Sequence, residues 1–412
     1  MSEKLVAIVL GGTSPHIELI RQLKDRGYYV VLADYLPNPP AKIHADIHEQ
    51  VSTLDPDAVL SLAQKYGAKL VISACVDQAN ITACYVAEKL GLTHPYSYEL
   101  ANNITNKGYM KKLMIANDIP TTKYYFLGKG EELESFDLKF PVMVKPADAC
   151  AASGVKKANN YAELSEFLSQ AKKVSRTGRT VVEEFFSGVE VSVYAFVKNG
   201  EANILMISER ISTIEGEQQV LKCYATITPP NVSDVALHKI QEVSTKIANV
   251  FELDNTPLHI QFIIDGDNIS VIEFAPRVGG GISYENIKNS TGFDIISATI
   301  DSYLQKPVDV KFKRSDRYYS VSLVYGIPSV FDQMTGVDEL IKEGIIDSVH
   351  YHKTRGTVIS ADRASAGRIA AILISGVSRQ EVLEKIKVSF NRINAYDPNG
   401  NQILRKDLYL KY

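Results

Sequence analysis

Short apolar runs alternate with helical periodicity through the first hundred residues of the chain. The run LVAIVL at 5–10 favours a buried strand, and the Gly-Gly turn after it is followed by Ser14, suited to cap a helix, and Pro15, suited to its first helical position. The same alternation then predicts further strands at 28–34 and 69–74 and helices at 55–66 and 79–90. We therefore predict a doubly wound parallel sheet in this part of the chain.

The loops at the carboxyl ends of these strands are candidates for substrate binding. Gly11 and Gly12 lack the third glycine of a dinucleotide fingerprint, so turn formation and phosphate binding both remain open there. In an open parallel sheet, ligands bind in the crevice outside the strand ends. The candidate segments are 11–14, Asp34 and 74–80, and we single out Asp77 in the last of them.

The pattern changes near residue 106 to period-two strands joined by polar turns. Strands are predicted at 180–186, 190–198, 202–209, 259–264 and 269–274, with hairpin turns at Asn199-Gly200 and 265–268. This half therefore reads as α+β with an antiparallel sheet. The predicted domains are 1–105, 106–305 with subdomains 106–180 and 181–305, and a smaller C-terminal domain at 306–412.

Composition narrows the class of partner. The 412 residues are 45% hydrophobic and 23% charged, with a formal net charge of −3, so no basic field favours nucleic acid or an anionic membrane. No signal peptide is recognised, no apolar run approaches the roughly 20 residues of a membrane span, and the four cysteines form no CxxC pair. We predict a cytoplasmic protein that works on small molecules.

The segment 259–281 has the strongest chemical signal. It reads as a hairpin in which Gln261 and Glu273 could face each other, and an amide with a carboxylate suits Mg²⁺. Arg277 follows four residues later, where it could neutralise charge on a transferring phosphoryl group. On spacing alone, a solvated glutamate and a surface ion pair fit equally well.

Four segments resemble those of the ATP-grasp superfamily and follow the same order along the chain. The last of them is the hairpin of QFIID and VIEFAPR, beginning at Gln261 and Val271. It is similar to the metal-binding strands of the superfamily, especially in the carbamoyl-phosphate synthetase large subunit and biotin carboxylase. VVEEFFSGVE at 181–190 resembles the adenine hinge, and FPVMVKP at 140–146 and Lys107 resemble phosphate-contacting segments. The resemblance implies an ATP-grasp fold of mixed α/β and α+β class, with a Rossmann-like N-terminal domain and a biotin-carboxylase-like C-terminal domain.

The resemblance also implies ATP and Mg²⁺ or Mn²⁺ as cofactors. It implies that Glu183 and Phe186 offer main-chain groups to adenine, that Glu184 lies beside it, and that Glu190 binds the ribose. The implied phosphate ligands are Lys107, Lys145, Ser153 and Gly154, with Lys222 and Arg277 as catalytic cations and Gln261 and Glu273 as metal ligands. Ala275 replaces the usual asparagine, which leaves one or two metal ions open.

The tail of the motif suggests the type of reaction. The run Gly279, Gly280 and Gly281 resembles that of ATP-grasp enzymes that ligate amino acids, where backbone N–H groups approach the acyl phosphate or the substrate carboxylate. This implies an ADP-forming carboxylate-amine ligase, with homodimerisation as a family expectation. A bicarbonate-activating or carbamoyl-phosphate-type enzyme and a nucleotide-binding module without catalysis are the alternatives.

Overall fold

The N-terminal part is a parallel sheet with helices packed on it. The computed structural model describes residues 5–133, 137–148, 154–215, 220–360 and 366–409. The first elements are β1 (Leu5–Leu10), α1 (Ser14–Asp25), β2 (Tyr28–Ala33), β3 (Ile47–Glu49), α2 (Pro56–Tyr66), β4 (Leu70–Ile72) and α3 (Asp77–Leu90). The strands are parallel in the order β3-β2-β1-β4, as predicted.

Local capping explains where these helices begin. Asp55 caps α2, with its carboxylate accepting from the Ala58 N–H at 3.0 Å, and Pro56 occupies the first helical position. The predictions of Ser14 as the cap and Pro15 as the first helical residue were each wrong by one residue. Thr13 has the extended backbone of the cap position, and Ser14 and Pro15 are the first and second residues of the helix.

A second, antiparallel sheet forms from the next segment. Its elements are α4 (Tyr98–Thr105), α5 (Lys107–Ala116), β5 (Tyr124–Leu127), β6 (Val142–Pro146), β7 (Lys156–Ala158), α6 (Tyr161–Val174) and β8 (Thr180–Glu184). The strand order is β5-β8-β6-β7, so β8 is an inner strand between β5 and β6. We call this the small sheet. Asn106 caps α5 and thereby places Lys107 at the first position of that helix.

The largest sheet begins with the predicted hairpins. Its first elements are β9 (Val189–Lys198), β10 (Glu201–Glu215), β11 (Val220–Thr228), α7 (Asp234–Val250), β12 (Thr256–Asp265), β13 (Asn268–Ala275), α8 (Ser283–Thr291) and α9 (Ile295–Tyr303). Strand β10 continues to Glu215, six residues beyond the predicted end at 209. Its polar residues after 209 continue the ladder with β11, because those two strands pair as far as Glu215↔Val220.

Strands from the last hundred residues join the same sheet. The remaining elements are β14 (Tyr318–Tyr325), β15 (Ser329–Val330), β16 (Gln333–Thr335), α10 (Val337–Lys342), β17 (Ser348–Tyr351), β18 (Val358–Ile359), β19 (Arg368–Gly376), α11 (Arg379–Arg392) and β20 (Asn394–Tyr396). The eight strands follow the order β13-β12-β9-β10-β11-β14-β19-β17. The predicted domain boundaries stay a prediction, and the sheet is continuous across the boundary at 305/306.

The N-terminal unit is fixed against the large sheet through α9. Arg26 of α1 donates to the Asp301 carboxylate at 2.6 Å, and Gln22 donates to Asp294 at 3.1 Å. The apolar core extends from β1 and β4 to β9, β10, α8 and α9. Within the described ranges, no helix is long and apolar enough to cross a membrane.

Candidate active site

A buried carboxylate joins two lysines in the small sheet. Glu183 of β8 is 5% exposed, and its side chain contacts the ammonium groups of Lys145 on β6 and Lys111 on α5. The Lys111 Nζ lies 2.7 Å from Glu183 Oε2 and also donates to the Thr121 hydroxyl at 2.9 Å. Glu183 therefore holds the Lys145 ammonium group in place within the small sheet.

The protonation state of this cluster follows from its charges. Burial by itself would raise the pKa of Glu183, but the neighbouring charges of Lys145 and Lys111 outweigh it and lower the pKa to about 2. Burial lowers the pKa of Lys111, and the Glu183 carboxylate opposes that shift. Glu183 is therefore ionised at neutral pH, and two cations share one anion.

The hairpin of β12 and β13 brings the two predicted metal ligands side by side. Gln261 is directly opposite Glu273 in the ladder, so the predicted register is confirmed. Lys107, at the start of α5, donates to Glu273 Oε2 at 2.6 Å. The charge of Lys107 is the main reason that the pKa of Glu273 falls to about 2. Glu273 is therefore an ionised carboxylate at any physiological pH.

Glu190, the predicted ribose ligand, is held by two donors. Arg210 Nε lies 2.6 Å from Glu190 Oε1, and the Gln261 side-chain amide donates to the same oxygen at 3.1 Å. Arg210 was not among the predicted residues. Because the side-chain N–H of Gln261 is bonded to Glu190, the side-chain oxygen of Gln261 stays available. That oxygen is the atom a metal ion would use.

Arg277 is oriented by the N-terminal unit. Its Nε and Nη2 donate to the two oxygens of Asp77 at 2.6 and 3.1 Å, a two-pronged ion pair across 200 residues of sequence. Its Nη1 also lies 3.4 Å from His259 Nδ1, and the His259 ring stacks on Tyr194. Burial, followed by the nearby arginines, lowers the pKa of His259 well below its usual value, so this ring is neutral.

One cleft lies between α3, the start of α5 and the β12–β13 hairpin. Its charged and polar lining includes Asp77, Lys107, Asp148, His259, Glu273 and Arg277. The two cations of this lining are each paired with a carboxylate, Lys107 with Glu273 and Arg277 with Asp77. A polyanion that enters the cleft can replace these carboxylates as the partner of the two cations.

The residues present fit a single Mg²⁺ ion. Glu273 supplies one carboxylate and Gln261 one amide oxygen on adjacent strands, and Mg²⁺ takes one or two protein oxygens together with phosphates and water. Ala275, the departure noted in the sequence, adds no ligand. No group of three or more His, Cys, Asp or Glu suited to a metal occurs in the described part of the chain.

The glycine run that follows Arg277 contains one position with no room for a side chain. A Cβ on Gly279 would overlap the Tyr194 ring and lie 2.9 Å from the Ser283 hydroxyl, which itself donates to the Gly279 carbonyl at 2.8 Å. Gly280 has nothing within 4 Å of such a Cβ, and Gly281 has a φ of +67°.

We expect Gly279→Ala to destabilise the protein by about 1–3 kcal/mol, because the methyl group must displace Tyr194 or the loop. Gly280→Ala is the matched control, since its methyl group meets open space. Denaturant unfolding of both variants measures the difference. Equal stability of the two would contradict the packing described here.

Several predicted residues have other surroundings than the cleft. Glu183 is paired with Tyr124 and Met143 in the neighbouring strands, while Phe186 lies past the end of β8; their main-chain role toward adenine stays a prediction. Glu184 is half-buried, with one side-chain oxygen 3.5 Å from the Lys139 N–H. A Cβ on Gly154, with φ +70°, would meet Pro146 and Val174.

Two predictions cannot be placed. Ser153 lies outside the described residues, as does most of the predicted phosphate loop at 147–154. Lys222 belongs to β11 and is opposite Thr213 in the ladder, but its side chain lies outside the described part. Both assignments stay predictions.

The N-terminal crevice differs from a dinucleotide site. The Ala41 N–H donates to the Gly12 carbonyl at 3.0 Å, and Pro39 lies where a Cβ of Gly12 would be. The Asp34 carboxylate accepts from the Leu36 N–H at 2.9 Å. The segment 39–41 thus covers this turn, and among the predicted loops it is 74–80, through Asp77, that reaches the cleft.

Comparison with known proteins agrees with this geometry. Residues 138–285 match the family model for the ATP-grasp domain. The carbamoyl phosphate synthase large chain of Pyrobaculum aerophilum is 26% identical over 296 residues, which are 69% of this chain and 28% of that protein. The chain spans less than a third of the length of this and the other curated relatives first matched.

Solved structures share the fold over nearly the whole chain. The L-amino acid ligase of Bacillus licheniformis superposes with a TM-score of 0.79 at 18% identity, covering 97% of this chain and all of that one. The biotin carboxylase domain of the Hydrogenobacter thermophilus 2-oxoglutarate carboxylase, solved with MgADP, ADP and bicarbonate, gives 0.78 at 14% identity, covering 99% and 93%. At these identities the likeness establishes the fold.

Proposed function

We propose that this chain, whose residues 138–285 match the family model for the ATP-grasp domain, is an ATP-dependent ligase that activates a carboxylate as an acyl phosphate and joins it to an amine. ADP and phosphate are the other products. The observation that supports this most is the cleft in which Lys107–Glu273 and Arg277–Asp77 lie together. A protein that only binds nucleotide has no need for two such cations placed to stabilise a transferring phosphoryl group.

The residues of the chain divide the work of binding ATP. Glu190 accepts from the ribose hydroxyls, and Lys107 and Lys145 exchange their internal carboxylates for phosphate oxygens. Glu183 keeps Lys111 as its partner during this exchange, so this buried carboxylate keeps a counter-charge. The structure of a biotin carboxylase domain with MgADP and bicarbonate, which shares this fold, supports the proposal that this chain binds a nucleotide.

Phosphoryl transfer is then a matter of position and charge. Glu273 and Gln261 would hold Mg²⁺, which neutralises phosphate charge when bound. Arg277, held by Asp77, neutralises charge on the phosphoryl group as the substrate carboxylate attacks it, and one P–O bond of ATP breaks as another forms. The main-chain N–H groups of 279–281 bind the acyl phosphate until the amine attacks its carbonyl carbon and phosphate leaves.

A panel of substrates tests this proposal. Release of ADP and phosphate is measured with Mg-ATP and amino acids, hydroxy acids, sugar acids and bicarbonate, singly and in pairs, and products are identified by mass spectrometry. We expect an acid and an amine together to stimulate release and to yield their condensed product. Release without any condensed product would contradict a ligase.

A bicarbonate-activating enzyme is the second candidate. The 26% identity to a carbamoyl phosphate synthase large chain favours it. Stimulation by bicarbonate alone, with no response to amino acids, would select this candidate over an amino-acid ligase.

A further inference from the structure

A second cavity, of about 350 Å³, lies between α1, α8 and β17. Its wall includes Ser14 of α1, Tyr284 and Glu285 of α8, and His350 of β17. This volume is in the range of small-molecule sites. The other charged groups of its lining form two internal ion pairs, Arg21 with Glu18 and Lys288 with Asp294. The remaining titratable groups, Glu285 and His350, therefore give the cavity its chemical character.

The contact between Glu285 and His350 is that of a carboxylate that orients an imidazole. His350 Nε2 lies 2.5 Å from Glu285 Oε2, and the Ser348 hydroxyl donates to the other oxygen, Oε1, at 2.5 Å. The Tyr284 ring packs edge-on against the His350 ring, with the centroids 6.4 Å apart. The side chains of Glu285 and His350 are 21% and 23% exposed, so the imidazole is held in place and is still open to a ligand.

The charge of Glu285 decides which nitrogen of His350 carries the proton. Burial by itself would raise the pKa of Glu285, but the contacts with His350 and Ser348 outweigh it and lower that pKa. Glu285 is therefore ionised at neutral pH, and an ionised carboxylate only accepts hydrogen bonds. In the neutral ring Nε2 thus carries the proton, and Nδ1 is the nitrogen that can take up another.

The α8 wall of the cavity continues into the glycine run of the candidate active site. Glu285 is the third residue of α8, and Gly281 directly precedes Ile282, the residue at the cap position of this helix. Glu285 and Gly281 therefore lie within about one helical turn of each other. The Ser283 hydroxyl, in the first turn of α8, donates to the Gly279 carbonyl at 2.8 Å. The proposed acyl-phosphate site and the cavity thus share this turn of backbone.

The α1 wall of the cavity is also connected to the cleft. Ser14 lines the cavity, and the hydroxyl of the adjacent Thr13 lies 3.7 Å from Cys75 Sγ. Cys75 precedes Asp77, the partner of Arg277, by two residues. A molecule that occupies the cavity therefore lies next to the segments that hold the reacting phosphate.

We propose that this cavity receives the acceptor amine and that His350 is its general base. The inference rests on the proposed ligase function. As the amine nitrogen bonds to the carbonyl carbon of the acyl phosphate, the C–O bond to phosphate breaks and its electron pair leaves with the phosphate. The proton lost by the nitrogen passes to His350 Nδ1 and from there to solvent. Glu285 is a positioning residue, because it fixes the tautomer and the orientation of the imidazole.

Hydroxylamine separates this step from the formation of the acyl phosphate. Its adduct is far more acidic than that of an amino acid, so it gives its proton to water without a base. Condensed product and hydroxamate are measured for the wild type and His350→Gln, with the acids of the panel above that stimulate ADP release and with L-amino acids or hydroxylamine as acceptor. We expect His350→Gln to slow condensation with amino acids about 100-fold and to leave hydroxamate formation unchanged.

Further variants separate proton transfer from folding. Added imidazole should restore part of the condensation in His350→Ala, and Glu285→Gln should lose less condensation than His350→Gln, with unchanged hydroxamate formation. His94→Gln is the matched control, because His94 also lies beside a glutamate, 3.6 Å from Glu88, and is not part of the cavity lining. Thermal unfolding and ATP binding should be the same in all of these variants.

The outcomes distinguish the general base from the general function. Condensation at the wild-type rate in His350→Gln would overturn the base and leave the ligase intact. Equal loss of condensed product and hydroxamate would mean that the pair supports the fold or acyl-phosphate formation, which also overturns the base. A wild type that binds ATP and forms no hydroxamate with any acid of the panel would overturn the proposed ligase function itself.

Discussion

Glu273→Gln is expected to slow ADP formation by about a thousandfold, because the variant loses the one carboxylate that the β12–β13 hairpin directs at the cleft beside Lys107. The neutral amide binds Mg²⁺ more weakly than a carboxylate does, and it does not neutralise the charge of Lys107. ADP formation with saturating Mg-ATP and substrates measures the effect, and ATP binding is measured in parallel.

A carboxylate on the same hairpin provides the control for this prediction. Asp265→Asn makes the same chemical change at an exposed position at the end of β12, and it should leave the rate unchanged. Unchanged ADP formation in Glu273→Gln would contradict the proposed site and would favour a nucleotide-binding module without catalysis.

Glu183→Gln is expected to destabilise the folded protein by about 3–5 kcal/mol at neutral pH. The substitution leaves the ammonium groups of Lys111 and Lys145, 2% and 12% exposed, without their shared counter-charge. Lys111→Met should lower the free energy of unfolding less than Glu183→Gln does, because Glu183 then keeps Lys145 as its partner. Chemical denaturation of the three proteins measures the differences.

The pH dependence of this effect has a defined sign. The pKa of Glu183 is about 2 in the folded protein against 4.5 normally, so its contribution to stability is complete above about 4.5 and is lost as the pH falls toward 2. The stability difference between wild type and Glu183→Gln should therefore shrink over that range. Glu184→Gln, a neighbouring half-buried carboxylate, serves as the control. A difference that stays constant from pH 5 to pH 2 would contradict the ion-pair account.

Local patterns predicted the parts of this site that depend on neighbours in sequence. Period-two alternation and the polar turn at 265–268 fix the hairpin, which is why Gln261 and Glu273 were correctly predicted to face each other. The alternating strands and helices of the N-terminal sheet were predicted for the same reason. The fold followed from resemblance across four motifs, and the shared fold is confirmed by solved structures.

Interactions between distant segments were not visible in the sequence. Lys111 resembles any helix lysine, although its position beside the buried Met110 and Met114 is a signal that it lies on the inner face of α5. Arg210 was missed because β10 was predicted to end at 209, whereas its polar continuation pairs with β11 through a bulge at Ile211/Ser212. The ion pair between Asp77 and Arg277 joins residues 200 positions apart, so it depends on how the domains pack and not on the spacing of residues in the sequence.

Transfer of an oxygen atom tests the acyl-phosphate mechanism most directly. Carboxylic acids labelled with ¹⁸O in the carboxylate are incubated with Mg-ATP, an amine and the protein, and the released phosphate is analysed by mass spectrometry. The proposed reaction predicts one ¹⁸O atom in each phosphate, because the carboxylate oxygen that attacks ATP leaves with the phosphoryl group. Condensed product accompanied by unlabelled phosphate would contradict an acyl-phosphate intermediate.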